Sequence, residues 1–568
     1  MRTASLASAC MGLFVSTSFA QQFEEIGQRA LPGVTTTSGS PDVNWILEVN
    51  GGGVVLGDFS GTGNLDLVVV DGSTPERVQA GKPGEAPRLM LSQGDGTFAL
   101  AGEDWDMAGG RWGMGGVAGD LNGDGALDLV VTEWGRDRVF LGGDGFQEVT
   151  AGAGLVGSFW GSSAALLDAD ADGILDLVVV NYLDFDFDQV ASRTSGDCTW
   201  KGRPVNCGPE GLDAQADQIY RGKGDGTFES FGAGIGFVPR ASAFGLGVVT
   251  GDFDADGDTD LYITNDSTPN HLWENVVAES GRSFKEVAMR RGVAVDANGR
   301  EQAGMGVGTG DVDGDGRSDF FVTNFSGENH CLYLSGNRRS YRERSHMTGV
   351  AGTSTPLLGW GAGLADLDND ADLDLFAFHG HVYPQADRAG TDTAYGQLDY
   401  LMRNTGTLEE PRFAPEPLSA RAPSVSRAAA VGDLDGDGDL DLVAVDRGGP
   451  VRVLRNELKP SAGSWLGVRL LDRTCANSAG VGARIELDFA VEAGDGGEGS
   501  VLTLRREITV SGGFQAGSPA EAHFGLGDLG VPIAGRVYWP SGDREAQDVP
   551  GSLLENIGKW NQIERPSK

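Results

Sequence analysis

The chain is short of the residues that build most catalytic and soft-metal centres, with 6 histidines and 5 cysteines among 568 residues. It has no Gly-x-Ser-x-Gly elbow, His-Glu-x-x-His helix or phosphate loop, so the common hydrolase, zincin and nucleotide motifs are missing. Basic residues are scarce, at 43 Lys and Arg against 82 Asp and Glu, for a net charge of −39. Phosphate recognition needs a basic face, so nucleic acid is not an expected partner. Beyond the N-terminus no stretch approaches about 18 consecutive apolar residues, so no membrane span is expected in the mature protein. Glycine is abundant, at 90 residues, but shows no Gly-X-Y period, which excludes collagen. Hydrophobic residues at 40% suffice for a core and argue against disorder.

The first 20 residues read as a secretory signal. Arg2 is the positive start, Leu6 to Val15 the short apolar run, and Ser18-Phe19-Ala20 the small-x-small cleavage site, cut after Ala20. A lipoprotein signal at Cys10 is disfavoured, because Ala7 stands three residues before it and the apolar run continues past it. The chain is therefore expected to be secreted or periplasmic. Export permits disulfides, and Cys198 and Cys207, which enclose a short polar loop, are expected to pair. Cys331 and Cys475 lie far apart and are left unassigned.

The acids are concentrated in one recurring phrase, written most fully as Asp-Phe-Asp-Ala-Asp-Gly-Asp-Thr-Asp from Asp252 to Asp260. It begins at Asp58, Asp120, Asp168, Asp252, Asp311, Asp366 and Asp433. Oxygen ligands at positions 1, 3, 5 and 9, around a turn at position 6, suit Ca²⁺, which takes 6–8 hard oxygens. The candidate ligands are Asp58 and Asp66 in the first copy and Asp120, Asn122, Asp124 and Asp128 in the second. The third and fourth offer Asp168, Asp170, Asp172 and Asp176, then Asp252, Asp254, Asp256 and Asp260. The fifth and sixth offer Asp311, Asp313, Asp315 and Asp319, then Asp366, Asp368, Asp370 and Asp374; the seventh offers Asp433, Asp435, Asp437 and Asp441. The carbonyl of position 7 completes each set. An EF-hand would need a Glu at position 12 and flanking helices. Position 12 is instead Val69, Val131, Val179, Ile263, Val322, Ala377 and Ala444, and the flanks are strand-like. Six to seven Ca²⁺ ions are expected, with a structural rather than catalytic role.

Each phrase lies between two apolar, β-branched runs, so it is the turn of a hairpin of strands A and B. A second turn follows in phrases such as Leu91-Ser-Gln-Gly-Asp-Gly-Thr-Phe98 and Tyr220-Arg-Gly-Lys-Gly-Asp-Gly-Thr-Phe228, and joins strand C to strand D. Seven four-stranded antiparallel sheets predict an all-β, seven-bladed β-propeller over residues 21–459, with an open solenoid as the runner-up. The last repeat stops after its C strand, Val451 to Arg455, whereas Phe23-Glu-Glu-Ile resembles the D strands at Phe146 and Phe284. The N-terminal strand is therefore expected to complete the last sheet and close the ring. Residues 460–568 carry a different strand pattern, with a hairpin tip at Gly494–Gly499, and form a small all-β domain.

The Asp phrases resemble FG-GAP (VCBS-type) repeats, as in the integrin α-chain propeller. Together with Cys207-Gly-Pro-Glu-Gly-Leu212, Asn265-Asp-Ser-Thr-Pro-Asn270, Glu301-Gln-Ala-Gly-Met-Gly306, Gly380-His-Val-Tyr-Pro384, Gly480-Val-Gly-Ala-Arg484, His523-Phe-Gly-Leu-Gly527 and Trp539-Pro-Ser-Gly542, they resemble the cartilage acidic protein 1 family and its bacterial relatives. That family joins such a propeller to a C-terminal ASPIC/UnbV domain. Ser60 and Thr62 stand where the family usually carries acids, which implies a weak or empty first site. The resemblance implies architecture and names no reaction.

Strand alternation places the A–B and C–D turns on one face and the B–C and D–A loops on the other. Long B–C insertions, Asp71–Arg88, Leu183–Gln218 and His379–Leu398, crowd that second face, and long loops on a rigid scaffold are where binding usually resides. Trp112, Trp160, Phe244, Met305 and Trp360 precede the inner strands. They read as packing between blades, or as an aromatic platform at the channel mouth. His379 and His381 alternate onto one side of a strand but lack a Cys/His cluster, so a structural role is expected. The reading is a monomeric, non-catalytic, calcium-binding module for binding or adhesion to an extracellular protein or glycan. The alternative is an extracellular polysaccharide hydrolase or lyase using the insertion face.

Overall fold

The computed structural model describes residues 22–239, 243–278, 281–337, 339–458, 464–491, 499–540 and 546–566. The expected signal segment and most of the Gly494–Gly499 tip lie outside them. The chain is all-β, with 40% strand and 8% helix, consistent with a β-propeller.

Seven four-stranded antiparallel units follow one another. The first pairs Gly53–Gly57, Asp66–Val70, Arg88–Ser92 and Phe98–Leu100 as strands A to D. The remaining A strands are Gly113–Gly119, Phe159–Leu167, Gly245–Gly251, Val307–Gly310, Gly359–Ala365 and Ser426–Gly432. In the last unit the fourth strand is Phe23–Glu25, with Phe23 opposite Asn456 and Glu25 opposite Leu454. The end of the second unit's B strand also pairs with the start of the third unit's A strand, Trp134 opposite Trp160.

The B strands are apolar runs buried along their whole length, as in Asp176–Asn181 and Asp441–Asp446. Both of their faces are covered because consecutive sheets stack face to face. Val55, Val68 and Val70 of the first sheet pack with Leu129, Val131 and Phe140 of the second. Corresponding apolar layers join each later pair. The layer of Val54, Leu67 and Val69 with Val443, Val445 and Val453 joins the seventh sheet to the first.

The described residues between 464 and 564 form two small sheets. One orders Glu521–Gly527, Ser464–Leu471 and Trp560–Glu564; the other orders Ser500–Glu507, Arg484–Val491, Ala534–Tyr538 and Gln547–Asp548. They enclose a core of their own around Leu487, Phe489, Phe524 and Val537. This unit lies across the A–B turns. Its segment from Val510 to Ser518 enters between the A strands. Ala516 pairs in parallel with Val54, Gly513 bridges Val248, and the Gln515 N–H donates to Ser163 Oγ at 2.9 Å. A side chain at Gly115 would sit 2.7 Å from Gln515 Cα, and one at Gly53 would sit 2.5 Å from its carbonyl oxygen. The glycine-rich A strands thus leave space for this backbone. Phe514, fully buried, reaches Trp360 on the far side.

Candidate metal centres

The seven Asp turns share one backbone course. Position 6 is left-handed in all of them, with φ of 88° at Gly63, 90° at Gly257 and 86° at Ala371. Position 4 is left-handed too, and here Ala171, Ala255 and Asn369 hold φ of 58–59° where other copies have glycine. Non-glycine residues at such angles cost about 1–2 kcal/mol each, so the rest of the turn must hold them there.

The aspartates at positions 1 and 9 do so. The position-1 carboxylate accepts N–H groups from within its own turn. Asp168 takes those of Asp172 and Gly173, at 3.0 Å each, and Asp120 takes those of Gly123 and Gly125, at 2.7 and 3.0 Å. The position-9 carboxylate binds the hairpin to strand C. Asp260 accepts from Phe253 N–H at 3.0 Å and from Asn275 N–H at 2.8 Å, and Asp176 accepts from Ala169 and Gly222, at 2.9 Å each. The strand-C bond recurs in all seven units, through Ser92, Gly142, Gly222, Asn275, Ser335, Asn404 and Asn456. Every position-9 aspartate is at most 1% exposed.

In copies three to seven the remaining carboxylate oxygens converge. Asp168, Asp170 and Asp176 place one oxygen each within 4.8 Å of the others, as do Asp252, Asp254 and Asp260. So do Asp311, Asp313 and Asp315; Asp366, Asp368 and Asp370; and Asp433, Asp435 and Asp441. Asp319 and Asp374 fall outside these triplets, as do Asp172, Asp256 and Asp437. At position 3, an oxygen of Asp170, Asp254, Asp313, Asp368 and Asp435 is enclosed without a hydrogen-bond donor. Three of these carboxylates spend their other oxygen on an arginine: Arg221 at 2.7 Å from Asp170, Arg339 beside Asp254 and Arg403 beside Asp368.

Burial and neighbouring aspartates push these acids toward the protonated form. Asp168, Asp254 and Asp366 rise to about 7, Asp313 to about 6 and Asp176 to about 8. Such loops are relieved by a proton or by a cation. An all-oxygen donor set with an unpartnered oxygen aimed among like charges fits a hard divalent cation such as Ca²⁺.

Copies one and two differ. In the first, Ser60 and Thr62 hydroxyls bond each other at 3.2 Å, and Asp58 and Asp66 are the only acids among the four positions. In the second, Asn122 Nδ2 donates to Asp124 Oδ2 at 2.9 Å, so an amide donor fills the place of a third converging acid. Neither forms a triplet among the described residues.

Residues of the C-terminal unit touch all seven turns. Ser478 Oγ donates to Asp120 Oδ2 at 2.8 Å, Arg484 reaches Asp252 Oδ2 at 3.4 Å, and Trp560 Nε1 donates to Asp433 Oδ2 at 2.8 Å. The carbonyl at position 6 is the acceptor in four other contacts. Gly63 O takes Arg469 at 3.0 Å, Gly173 O the Asn477 N–H at 2.9 Å, Gly316 O Arg505 at 2.5 Å and Gly438 O His523 at 2.9 Å. In the sixth turn the Asn369 carbonyl takes the Gly527 N–H at 2.8 Å. No local sequence signal marked this contact.

On the opposite face the aromatic side chains are core. Trp112 and Trp160 are fully buried, and Phe244, Met305 and Trp360 are at most 8% exposed. Val43 to Val49 and Leu183 to Val190 cover them, so the residues form no open platform. Cys198 and Cys207 form the expected disulfide, whereas Cys331 and Cys475 are free thiols. The disulfide loop crosses to the sixth unit, where Lys201 pairs with Asp392 and Arg203 bonds Ala389 O at 2.5 Å.

His379 and His381 do not act together, contrary to the alternation expected of a strand. The strand ends at His379, and each ring finds its own partner. His379 Nε2 lies 3.1 Å from His330 Nε2, and His381 Nε2 lies 3.0 Å from Ser326 Oγ. His381 Nδ1 accepts the Tyr383 N–H at 3.0 Å, which assigns the proton to Nε2. That ring donates to Ser326 and is not a base for it. His330, the partner of His379, escaped sequence reading because it lies on another unit.

Comparison with known proteins agrees with this architecture. A profile of the FG-GAP-like repeat matches residues 58–131, 120–179, 210–263 and 311–377, and one described as ASPIC and UnbV matches 474–552. The chain belongs to the FG-GAP repeat proteins that carry a C-terminal ASPIC/UnbV segment. It is similar to cartilage acidic protein 1 of Xenopus tropicalis, 26% identical over 321 residues, and of Mus musculus, 27% identical over 323. In each case the match covers 55% of this chain and 44% of the relative, so it spans less than half the length of these relatives. Among solved structures, BBS1N in complex with ARL6DN aligns with 76% of this chain and 95% of its own at 10% identity and a TM-score of 0.40. Rhamnogalacturonan lyase YesW aligns with 75% of this chain and 91% of its own at 13% identity and a TM-score of 0.28. At TM-scores this low neither likeness carries an argument about function.

Proposed function

We propose that the chain is an exported, calcium-binding, seven-bladed β-propeller, closed by its N-terminal strand over residues 21–459 and followed by a domain over 460–568. It acts as a non-catalytic binding or adhesion module for an extracellular protein or glycan. The observation that carries the metal reading is the set of five convergent aspartate triplets, each with an enclosed position-3 oxygen that lacks a donor. The apolar layer between the seventh and first sheets supports closure. The fixed positions of the aspartates support a non-catalytic role. Those at positions 1 and 9 are tied to backbone N–H groups, and a carboxylate holding a metal and a turn is not free to shuttle protons. The partner is expected at the insertion face, where Asp184, Asp186 and Asp188 are exposed beside buried or half-buried Phe185 and Phe187.

Calorimetric titration with Ca²⁺ should give about five strong sites, and an Asp252→Ala, Asp254→Ala double variant should bind one ion fewer. Unchanged calcium content in that variant would reject the site assignment. Screening extracellular proteins and glycans with and without EDTA tests the role; turnover of any polysaccharide would reject the non-catalytic reading in favour of a hydrolase or lyase.

A further inference from the structure

We propose that the C-terminal unit is a cation-dependent cap that recognises the ordered form of the Asp turns, and that its Val510–Ser518 segment seats in the ring only when those turns are set. The proposal rests on the calcium reading above and goes beyond it by giving the C-terminal unit a role.

Four of the seven turns offer the unit one atom in common, the position-6 carbonyl: Gly63, Gly173, Gly316 and Gly438. That carbonyl belongs to a left-handed residue, with φ of 82–91° at these positions. Its direction is therefore set by the closed form of the turn and by no neighbouring strand. In the turns of Gly173, Gly316 and Gly438, which carry triplets, the converging carboxylates repel without a cation, and this works against the N–H bonds that hold two left-handed residues in place; the Gly63 turn has no triplet and is a fixed contact. The acceptors would then scatter. Two further contacts go to aspartate side chains directly, Ser478 to Asp120 and Trp560 to Asp433, at 2.8 Å each. At Asp433, which belongs to a triplet, a neutral donor of this kind orients the carboxylate toward a metal without competing for it.

The acid pairs across this contact point the same way. Glu507 of the cap accepts the Asp252 N–H at 3.1 Å, so its carboxylate lies beside that aspartate. Glu521, paired with Arg469 at 2.9 Å, is enclosed with one oxygen lacking a donor. Arg505 pairs with Glu507, Arg469 with Glu521 and Arg484 with Asp252, and a cation in the turns adds to this balancing positive charge. Seating and metal binding then favour each other by the same factor.

The test is amide hydrogen exchange on the full chain at millimolar Ca²⁺ and in EGTA, followed at Val248 and Gln515, whose N–H groups bond Gly513 O and Ser163 Oγ. Chelation should speed exchange at both amides by about tenfold or more. Trp560→Phe keeps every Asp in place and removes one donor to Asp433. It should raise the calcium concentration that gives half-protection of these amides by about tenfold. If calcium binds and the turns become protected while Val248 and Gln515 exchange as in EGTA, the cap proposal falls and the calcium reading stands. If no calcium binds at millimolar concentration, both fall together.

Discussion

The two faces of this propeller-like fold are held by opposite means. One face is a field of aspartates in strained turns, whose order depends on charge and backbone hydrogen bonds. The other is a layer of tryptophan and phenylalanine under long loops, with Trp45, Trp134, Phe185 and Phe187 edge to face at 4.9–5.9 Å and a disulfide within one of those loops. If the triplets hold cations as proposed, the first face depends on divalent ions and the second does not. On the second face the loops at Val43–Val49 and Leu183–Val190 cover the aromatic core, which leaves their exposed outer surface for binding.

Chelation should separate the faces most clearly. A ligand that binds only the native state contributes about 2.7 kcal/mol per site at a hundredfold excess over Kd, and five triplets are present. EDTA should therefore lower the melting temperature strongly, with exchange rising first in the Asp turns and last under Trp112 and Trp160. A uniform rise over both faces would break the comparison.

Next in size is the position-9 aspartate. Asp260→Ala leaves the Phe253 and Asn275 N–H groups without an acceptor, at about 1–3 kcal/mol each. Asp66→Ala removes the same kind of clasp, from Ser60 and Ser92, in a turn that lacks a triplet. The clasp alone should cost about 4 kcal/mol in both variants, read by urea denaturation in EDTA. Any excess in Asp260→Ala that appears only with calcium is the metal's share.

The far face should respond to acid. Burial holds His379 at about 4 and His330 well below the usual histidine range. In the unfolded chain both titrate near 6.5, so the stability from their neutral forms is present above that pH. It is lost as pH falls from 6.5 toward 4, by up to about 3 kcal/mol for His379. Urea midpoints at pH 7 and 4.5 check this, and a His330→Gln, His379→Gln double variant should show a smaller fall. The smallest effect is expected from Cys198→Ser with Cys207→Ser, about 2 kcal/mol from loop entropy, with calcium binding unchanged.

Much of this was legible because it repeats. The Asp phrase, its flanking apolar runs and the Asp-Gly turns located the four-stranded units, and the strand at Phe23 was found because it resembles those at Phe146 and Phe284. What escaped lacks a local pattern. Ala171 and Ala255 take left-handed angles, yet alanine is no marker for them. The clasp at position 9 involves an N–H of strand C, whose side chain does not matter. Val510–Ser518 reads as an ordinary loop, and only the glycines opposite it, Gly53 and Gly115, hint that a backbone approaches.

The pairing of Phe23 with Asn456 has a consequence for how the molecule is made. Gln22 and Asn456, bonded at 3.0 Å, are 434 residues apart in sequence. The strand Phe23–Glu25 must wait for Val451–Asn456, made more than 400 residues after it, before it can pair. Until then the edge at Val451–Asn456 has no partner, and the early strand is free to add to the edge of another copy. Assembly is thus a race between joining the ends of one chain and exchanging ends between two, and it should be lost progressively as concentration rises during refolding.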